Sequence, residues 1–307
     1  MPKQLHPLRQ RAEYALYRMG AATLRSLPES AVQSFAQRAG ALAFSLQGER
    51  ARWALANLRI AFPEKTEAER YAIGRESYAQ FGMNMADLPR AQTWSREELT
   101  TRCPIEGHEH VELALARGNG ALLLTLHIGN WEVGVQALAF AVEHHKVCVI
   151  GRPMRNRLIY DQITSSRTRS GAELIDRENA LTGMMRRLRA NRPVAVLNDQ
   201  YVGRARGVFA PFFGVRASTA AGVALLALRT GAAIVPCYSL RLSPGRYAGW
   251  FFPEIEIHPT GARNADLIEV ASRCNAVLEK AIRAHPEQWL WGHRRFRYSP
   301  DLASDPY

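Results

Sequence analysis

The alternation of short apolar runs with helical stripes predicts an α/β fold, in which a mixed or mostly parallel sheet is flanked by helices and preceded by an all-helical N-terminal region. Three observations carry this. The first hundred residues hold only helix-period patterns. From about residue 105 the rhythm becomes strand, helix, strand. Finally, Ala121-Leu-Leu-Leu-Thr-Leu126, bounded by Gly118-Asn119-Gly120, reads as a buried strand that stops at His127, after which Gly129-Asn130 turns the chain into a helix.

Residues 8 to 25 are rich in Leu, Tyr, Met and Ala, with Arg9, Arg11, Arg18 and Arg25 spread through them, and Pro28 ends the segment. Val32, Phe35, Ala36, Ala39, Leu42, Ala43 and Leu46 then form a helical stripe. Such a stripe serves a protein core or, with its flanking arginines, an amphipathic pair in a membrane interface. Arg50 to Ala61 continues helical up to Pro63, and Thr66-Glu-Ala-Glu69 resembles a helix start. Residues 1–100 are therefore expected to be a helical cap and membrane-docking region, and residues 101–307 a continuous α/β core. Expected strands are 121–126, 146–150, 172–176, 193–197, 233–240 and 250–257, and expected helices include 178–190, 218–229 and 266–284.

Of the 307 residues, 47% are hydrophobic and 22% charged, a globular composition. The formal net charge of +12 suits nucleic acid, an anionic membrane face or phosphorylated and acidic partners. No zinc-finger spacing or RNA-binding aromatic signature appears, so nucleic acid is not expected as a partner. Cys103, Cys148, Cys237 and Cys274 are scattered without metal-ligand spacing, and neither a metal nor a resident cofactor is expected. No apolar stretch is long enough to span a bilayer, because Arg18, Arg25 and Arg229 interrupt the candidates. Attachment to the cytoplasmic face of a membrane is therefore expected to be peripheral.

The chemistry centres on His127. A histidine beyond the carboxyl end of a strand, followed five residues later by Glu132, supplies a general base and an orienting acid. The same spacing also arises around satisfied polar histidines with no catalytic role. No G-x-S-x-G, G-x-x-x-x-G-K-[ST], H-E-x-x-H or G-x-G-x-x-G after a strand is present, which favours direct base-assisted attack by an acceptor hydroxyl. Arg152, Arg155, Arg157, Arg167 and Arg169 face one acid, Asp161, within 18 residues, and read either as a solvated basic face or as a phosphate site. Phe209 to Phe213 and Val215 read as an apolar loop before Ser218-Thr219 caps the next helix. Trp289 and Trp291 read either as core, with Arg294 and Arg295 at the surface, or as an aromatic belt at a membrane. The doublets His108/His110 and His144/His145 have no cysteine in their company and read as surface.

Leu126-His-Ile-Gly-Asn-Trp-Glu132 resembles the signature of the bacterial lipid A late (lauroyl/myristoyl) acyltransferases. Further blocks follow the family's order: Asn57-Leu-x-x-x-Phe-Pro63, Gly151-Arg-Pro-x-x-Asn156, Asn198-Asp-Gln200, Phe212-Phe-Gly214 with Thr219-Ala220, and Pro286-Glu-Gln-Trp-Leu-Trp-x-His-Arg-Arg-Phe296. The resemblance implies a glycerolipid-acyltransferase-like fold and O-acyl transfer from an acyl-thioester on acyl carrier protein, with its phosphopantetheine arm, to a hydroxyl of a lipid A precursor. In that reading His127 is the base and Glu132 holds its ring. Asn130, Arg152, Asn156, Asp199, Gln200 and Arg294 serve substrate, with Arg152 the first choice for phosphate and Asp199 a pocket-lining or supporting acid. Members commonly carry an N-terminal membrane-spanning helix, and this sequence departs from that. The alternatives are acylation of another glycolipid or aminolipid from acyl-CoA, and a non-catalytic basic membrane-binding protein.

Overall fold

The computed structural model describes residues 6–151, 154–176 and 180–307. Helices open the chain: α1 (Pro7–Ser26), α2 (Glu29–Ser45), α3 (Glu49–Ala61), α4 (Glu67–Ala91) and α5 (Arg96–Arg102). The expected start at Thr66 is a capping box, in which the Thr66 N–H donates to Glu69 Oε2 at 2.7 Å and Glu69 N–H returns to Thr66 Oγ1 at 3.3 Å. There follow β1 (Ile105–Glu106), α6 (His108–Leu115), β2 (Ala121–Thr125), α7 (Trp131–Ala141), β3 (Cys148–Gly151), α8 (Arg157–Arg169), β4 (Glu173–Asp176), α9 (Ala180–Arg189) and β5 (Pro193–Leu197). The chain continues with β6 (Gly207–Phe212), β7 (Val215–Ala220), α10 (Gly222–Thr230), β8 (Ala233–Ser243), β9 (Arg246–Phe251) and α11 (Arg263–Ala284).

Seven strands form one sheet in the order β1-β9-β8-β2-β5-β3-β4. The run β8-β2-β5-β3-β4 is parallel, whereas β9 pairs antiparallel with β8 and β1 lies parallel to β9 at the edge. The fold is thus the expected α/β arrangement with a mostly parallel mixed sheet. Side chains alternate between its faces. Leu122, Leu124, Cys148, Val194 and Ile234 pack with α9, α10 and α11, whereas Leu123, Val149, Val235 and Cys237 pack with α6 and α7.

Two expectations fail locally. The strand expected at 250–257 is β9, which ends at Phe251. Gly245, at φ +68, lets the chain reverse directly after β8, so the hairpin begins earlier than the apolar pattern suggests. The apolar loop expected at Phe209 to Phe213 is the β6–β7 hairpin, in which Ser218 and Thr219 are strand residues and not a helix cap. Its two-residue turn, Phe213 at φ 52 and Gly214 at φ 79, is of the mirror-image type that hairpins favour. Phe-Gly lacks the Asn-Gly signal by which such turns are read.

The helical layer divides the stripe of α2. Val32 and Ala36 are buried against Met83 and Ala86, but Phe35, Leu42 and Leu46 face outward, as do Leu8, Leu16 and Met19 of α1. Among the described residues no helix is long and apolar enough to cross a membrane. Trp289, Trp291 and Arg295 are fully buried, so the aromatic block near the C-terminus is core. The reading of this block as core put Arg295 at the surface, and in this it fails. It is drawn inside by acceptors on β7, the Ser218 carbonyl at 2.9 Å and Thr219 Oγ1 at 3.0 Å, and lies over the Phe212 ring.

Candidate active site

Parallel pairing of β2 with β5 builds the site. Thr125 lies opposite Leu197, so the residues two places further on, His127 and Asp199, leave the sheet side by side. His127 Nδ1 is 2.8 Å from Asp199 Oδ1, and the His127 backbone N–H donates to Asp199 Oδ2 at 3.0 Å. Trp289 Nε1 donates to the same oxygen at 2.8 Å. Burial alone would raise the Asp199 pKa, but the imidazole's charge and these donors hold its carboxyl well below the usual carboxylate range. Burial would lower that of His127. The attraction and hydrogen bond of Asp199, with the negative charge of Glu132 adding to them, instead raise it above 6.5. A carboxylate on Nδ1 makes that nitrogen the N–H donor and leaves the lone pair of Nε2 able to accept a proton.

Glu132, expected to hold the ring, makes its hydrogen bonds with Arg167. Its carboxylate is gripped by Arg167, whose Nη2 lies 2.6 Å from Oε1 and whose Nε lies 3.1 Å from Oε2. As the second residue of α7, Glu132 turns toward α8, and it favours the imidazolium only through space. The acid that touches His127 comes from the Asn198-Asp199-Gln200 block, 72 residues downstream. Gln200 Nε2 lies 3.4 Å from the same ring nitrogen.

The turn carrying His127 is fixed on every side. Leu290 N–H donates to the His127 carbonyl at 3.0 Å, Gly129 N–H to the Gln288 carbonyl at 3.1 Å, and Asn84 Nδ2 to the Gly129 carbonyl at 2.6 Å. Asn84 is itself held by Arg241 at 2.7 Å, within a buried cluster that includes Asp87 and Tyr247. Gly129 is at φ +55, and a Cβ there would lie 2.2 Å from the Ser239 carbonyl oxygen.

Beside this turn, an apolar cavity of about 320 Å³ runs between α7 and the sheet. Alternate residues of the strands floor it (Leu123 and Thr125, Ala195 and Leu197, Cys237 and Ser239), and Trp131, Val135 and Leu138 of α7 roof it. Glu132, Arg167 and Gln200 supply its polar lining. The Trp131 ring, which lines the cavity, stands edge-on to His127 at 5.2 Å.

The other expected site residues are placed as follows. Asn130 is buried and caps α7, accepting from Val133 N–H at 3.3 Å. Asn156 caps α8 and ties it to α1 through the Gln10 carbonyl at 3.0 Å and Glu13 at 3.1 Å. Arg294 pairs with Glu49 at 3.0 Å and stacks over Trp53, away from the cavity. Arg152 lies outside the described residues. Of the arginines read either as a solvated basic face or as a phosphate site, Arg157 pairs with Asp161, Arg167 with Glu132, and Arg169 with the Gln92 carbonyl. His293 accepts from Tyr201 N–H at 3.3 Å, and burial pushes its imidazole down to about 4.

Comparison with known proteins places the whole chain in one family. The sequence profile of the family described as bacterial lipid A biosynthesis acyltransferase matches residues 2–298. A lipid A biosynthesis lauroyltransferase of Escherichia coli K12 is 31% identical over 270 residues, which is 87% of this chain and 86% of the relative. The palmitoleoyltransferase of the same organism is 29% identical over 92% of this chain and 90% of its own length. A phosphatidylinositol mannoside acyltransferase of Mycobacterium tuberculosis is 27% identical over 89% of this chain and 85% of its own. A profile matched over nearly the full length, together with these relatives, establishes that the chain belongs to the bacterial lipid A biosynthesis acyltransferases.

Proposed function

We propose that this acyltransferase moves a fatty acyl group from acyl carrier protein to a hydroxyl of a lipid A precursor, with His127 as general base and Asp199 as the acid that orients it. The observation that carries the reading is the Asp199–His127 contact of 2.8 Å at the mouth of a parallel sheet, beside an apolar cavity. Nε2 takes the acceptor's hydroxyl proton while the oxygen attacks the thioester carbonyl. The tetrahedral intermediate then collapses, the C–S bond breaks, and the imidazolium returns its proton to the leaving thiolate. The Gly129 N–H is committed to Gln288, so the first-turn amides of α7 at Trp131 and Glu132 are the better placed donors for the oxyanion. The acyl chain lies in the cavity, against the apolar side chains that the sheet and α7 both contribute.

The protein works peripherally at the cytoplasmic face of the inner membrane. Support comes from the outward Leu8, Leu16, Met19, Phe35, Leu42 and Leu46, interleaved with exposed Arg11, Arg18, Arg25 and Arg38. The positive balance also suits the acidic carrier protein. A second reading, acylation of a mannosylated lipid from acyl-CoA, draws on the relative named for that acceptor.

Purified protein given radiolabelled acyl-carrier protein or acyl-CoA, with either acceptor, separates these. Label entering the lipid A precursor, and falling about 10²-fold to 10⁴-fold with His127→Ala, is the expected result. Label entering only the mannolipid favours the second reading, and transfer indifferent to His127→Ala overturns the mechanism.

A further inference from the structure

Away from the catalytic turn, at the opposite end of the parallel strands, a second polar constellation is assembled from two segments. Glu112 projects from α6, and His144 and His145 sit in the 3-10 turn Glu143–His145 that leads from α7 into β3. The acid that meets the two histidines is not their sequence neighbour Glu143, which pairs with Arg96 at 2.8 Å, but Glu112 of α6. Glu112 Oε1 lies 3.0 Å from His144 Nε2, and Glu112 Oε2 lies 2.8 Å from His145 Nε2. We propose that Glu112, His144 and His145 bind a divalent transition-metal cation of the zinc type.

Two imidazoles and one carboxylate form a donor set suited to such ions. The three ligand atoms lie within 4.8 Å of one another. Zinc bonds of about 2.0–2.1 Å in a tetrahedron set ligand atoms roughly 3.4 Å apart, so small ring movements suffice. The cation replaces the protons that the rings now share with the carboxylate. The turn is firmly set, with His145 N–H donating to the Val142 carbonyl at 3.0 Å and Lys146 N–H to the Glu143 carbonyl at 2.9 Å. The His144 side chain is 63% exposed, which gives the ion an entry path and leaves a coordination position for water. Bound metal clips α6 to the end of α7, the helix whose other end carries Trp131 and Glu132 at the cavity.

The test is calorimetric titration of untagged, EDTA-stripped full chain with zinc chloride alone, with cobalt absorption as a second reading of geometry. One saturable site with a dissociation constant on the order of micromolar is expected, with a tetrahedral cobalt spectrum. Zinc should raise the melting temperature of the wild-type protein. Glu112→Gln, which preserves shape, should weaken binding at least about tenfold, and His144→Ala with His145→Ala should abolish it. Melting in EDTA checks that each variant is folded, and Glu112→Gln decides if the double variant is not. No zinc uptake by the wild-type chain, or uptake unchanged in a folded variant, overturns the proposal.

Discussion

At the scale of single residues, the proposed role of His127 requires a neutral ring, and its surroundings work against that. Because Asp199 raises its pKa, the rate should climb with pH through an inflection above 6.5, the ordinary histidine value. Below the inflection the imidazolium is already protonated and the enzyme is idle. His293 does not contribute this limb, since burial keeps it neutral down to about 4. Glu132→Gln removes a negative charge near the ring, so its pH–rate profile should shift to lower pH with the same shape. An unmoved inflection would mean that Glu132 acts only through Arg167. Sequence spacing made Glu132 the obvious partner because both residues fall in one short block. What it leaves out is direction: α7 turns that carboxylate toward α8, whereas strand register delivers Asp199.

At the scale of elements, the turn between β2 and α7 is a rigid mount. Gly129→Ala must place a methyl against the Ser239 carbonyl and hold φ +55, so it should cost about 2–4 kcal/mol in urea denaturation. Asn84→Ala strips a donor from the Gly129 carbonyl and an acceptor from Arg241, both buried, and should cost about 1–3 kcal/mol. A midpoint unchanged in either variant would show that the turn is not held this way. These elements were unequally legible. The β2 strand and the helices of the first hundred residues announce themselves through local period, and Thr66 through its cap. The β6–β7 hairpin does not, because Phe213-Gly214 is an unusual pair for its turn. The partnership of Glu112 with His144 and His145 spans more than thirty residues and leaves no local trace.

At the scale of the whole molecule, charge and outward apolar residues lie together on the helical layer. Phe35, Leu42 and Leu46 are 72%, 62% and 75% exposed, too much for core and suited to burial in lipid. Changing all three to Asp should reduce co-sedimentation with anionic vesicles at least about 10²-fold, since burying each side chain is worth roughly 1.5–3 kcal/mol. Binding equal to the wild type would contradict membrane docking through this face. The overall architecture was readable because α/β alternation is a pattern of the whole chain, whereas the cavity depends on how closely α7 approaches the sheet. The reaction itself is tested most directly by Asp199→Asn in steady-state transfer from acyl carrier protein to the lipid A precursor. With the imidazole losing its anchor and its correct tautomer, kcat should fall about 10²-fold to 10⁴-fold while KM changes little. A folded Asp199→Asn enzyme turning over near the wild-type rate would contradict the assignment of His127 as a base held by Asp199.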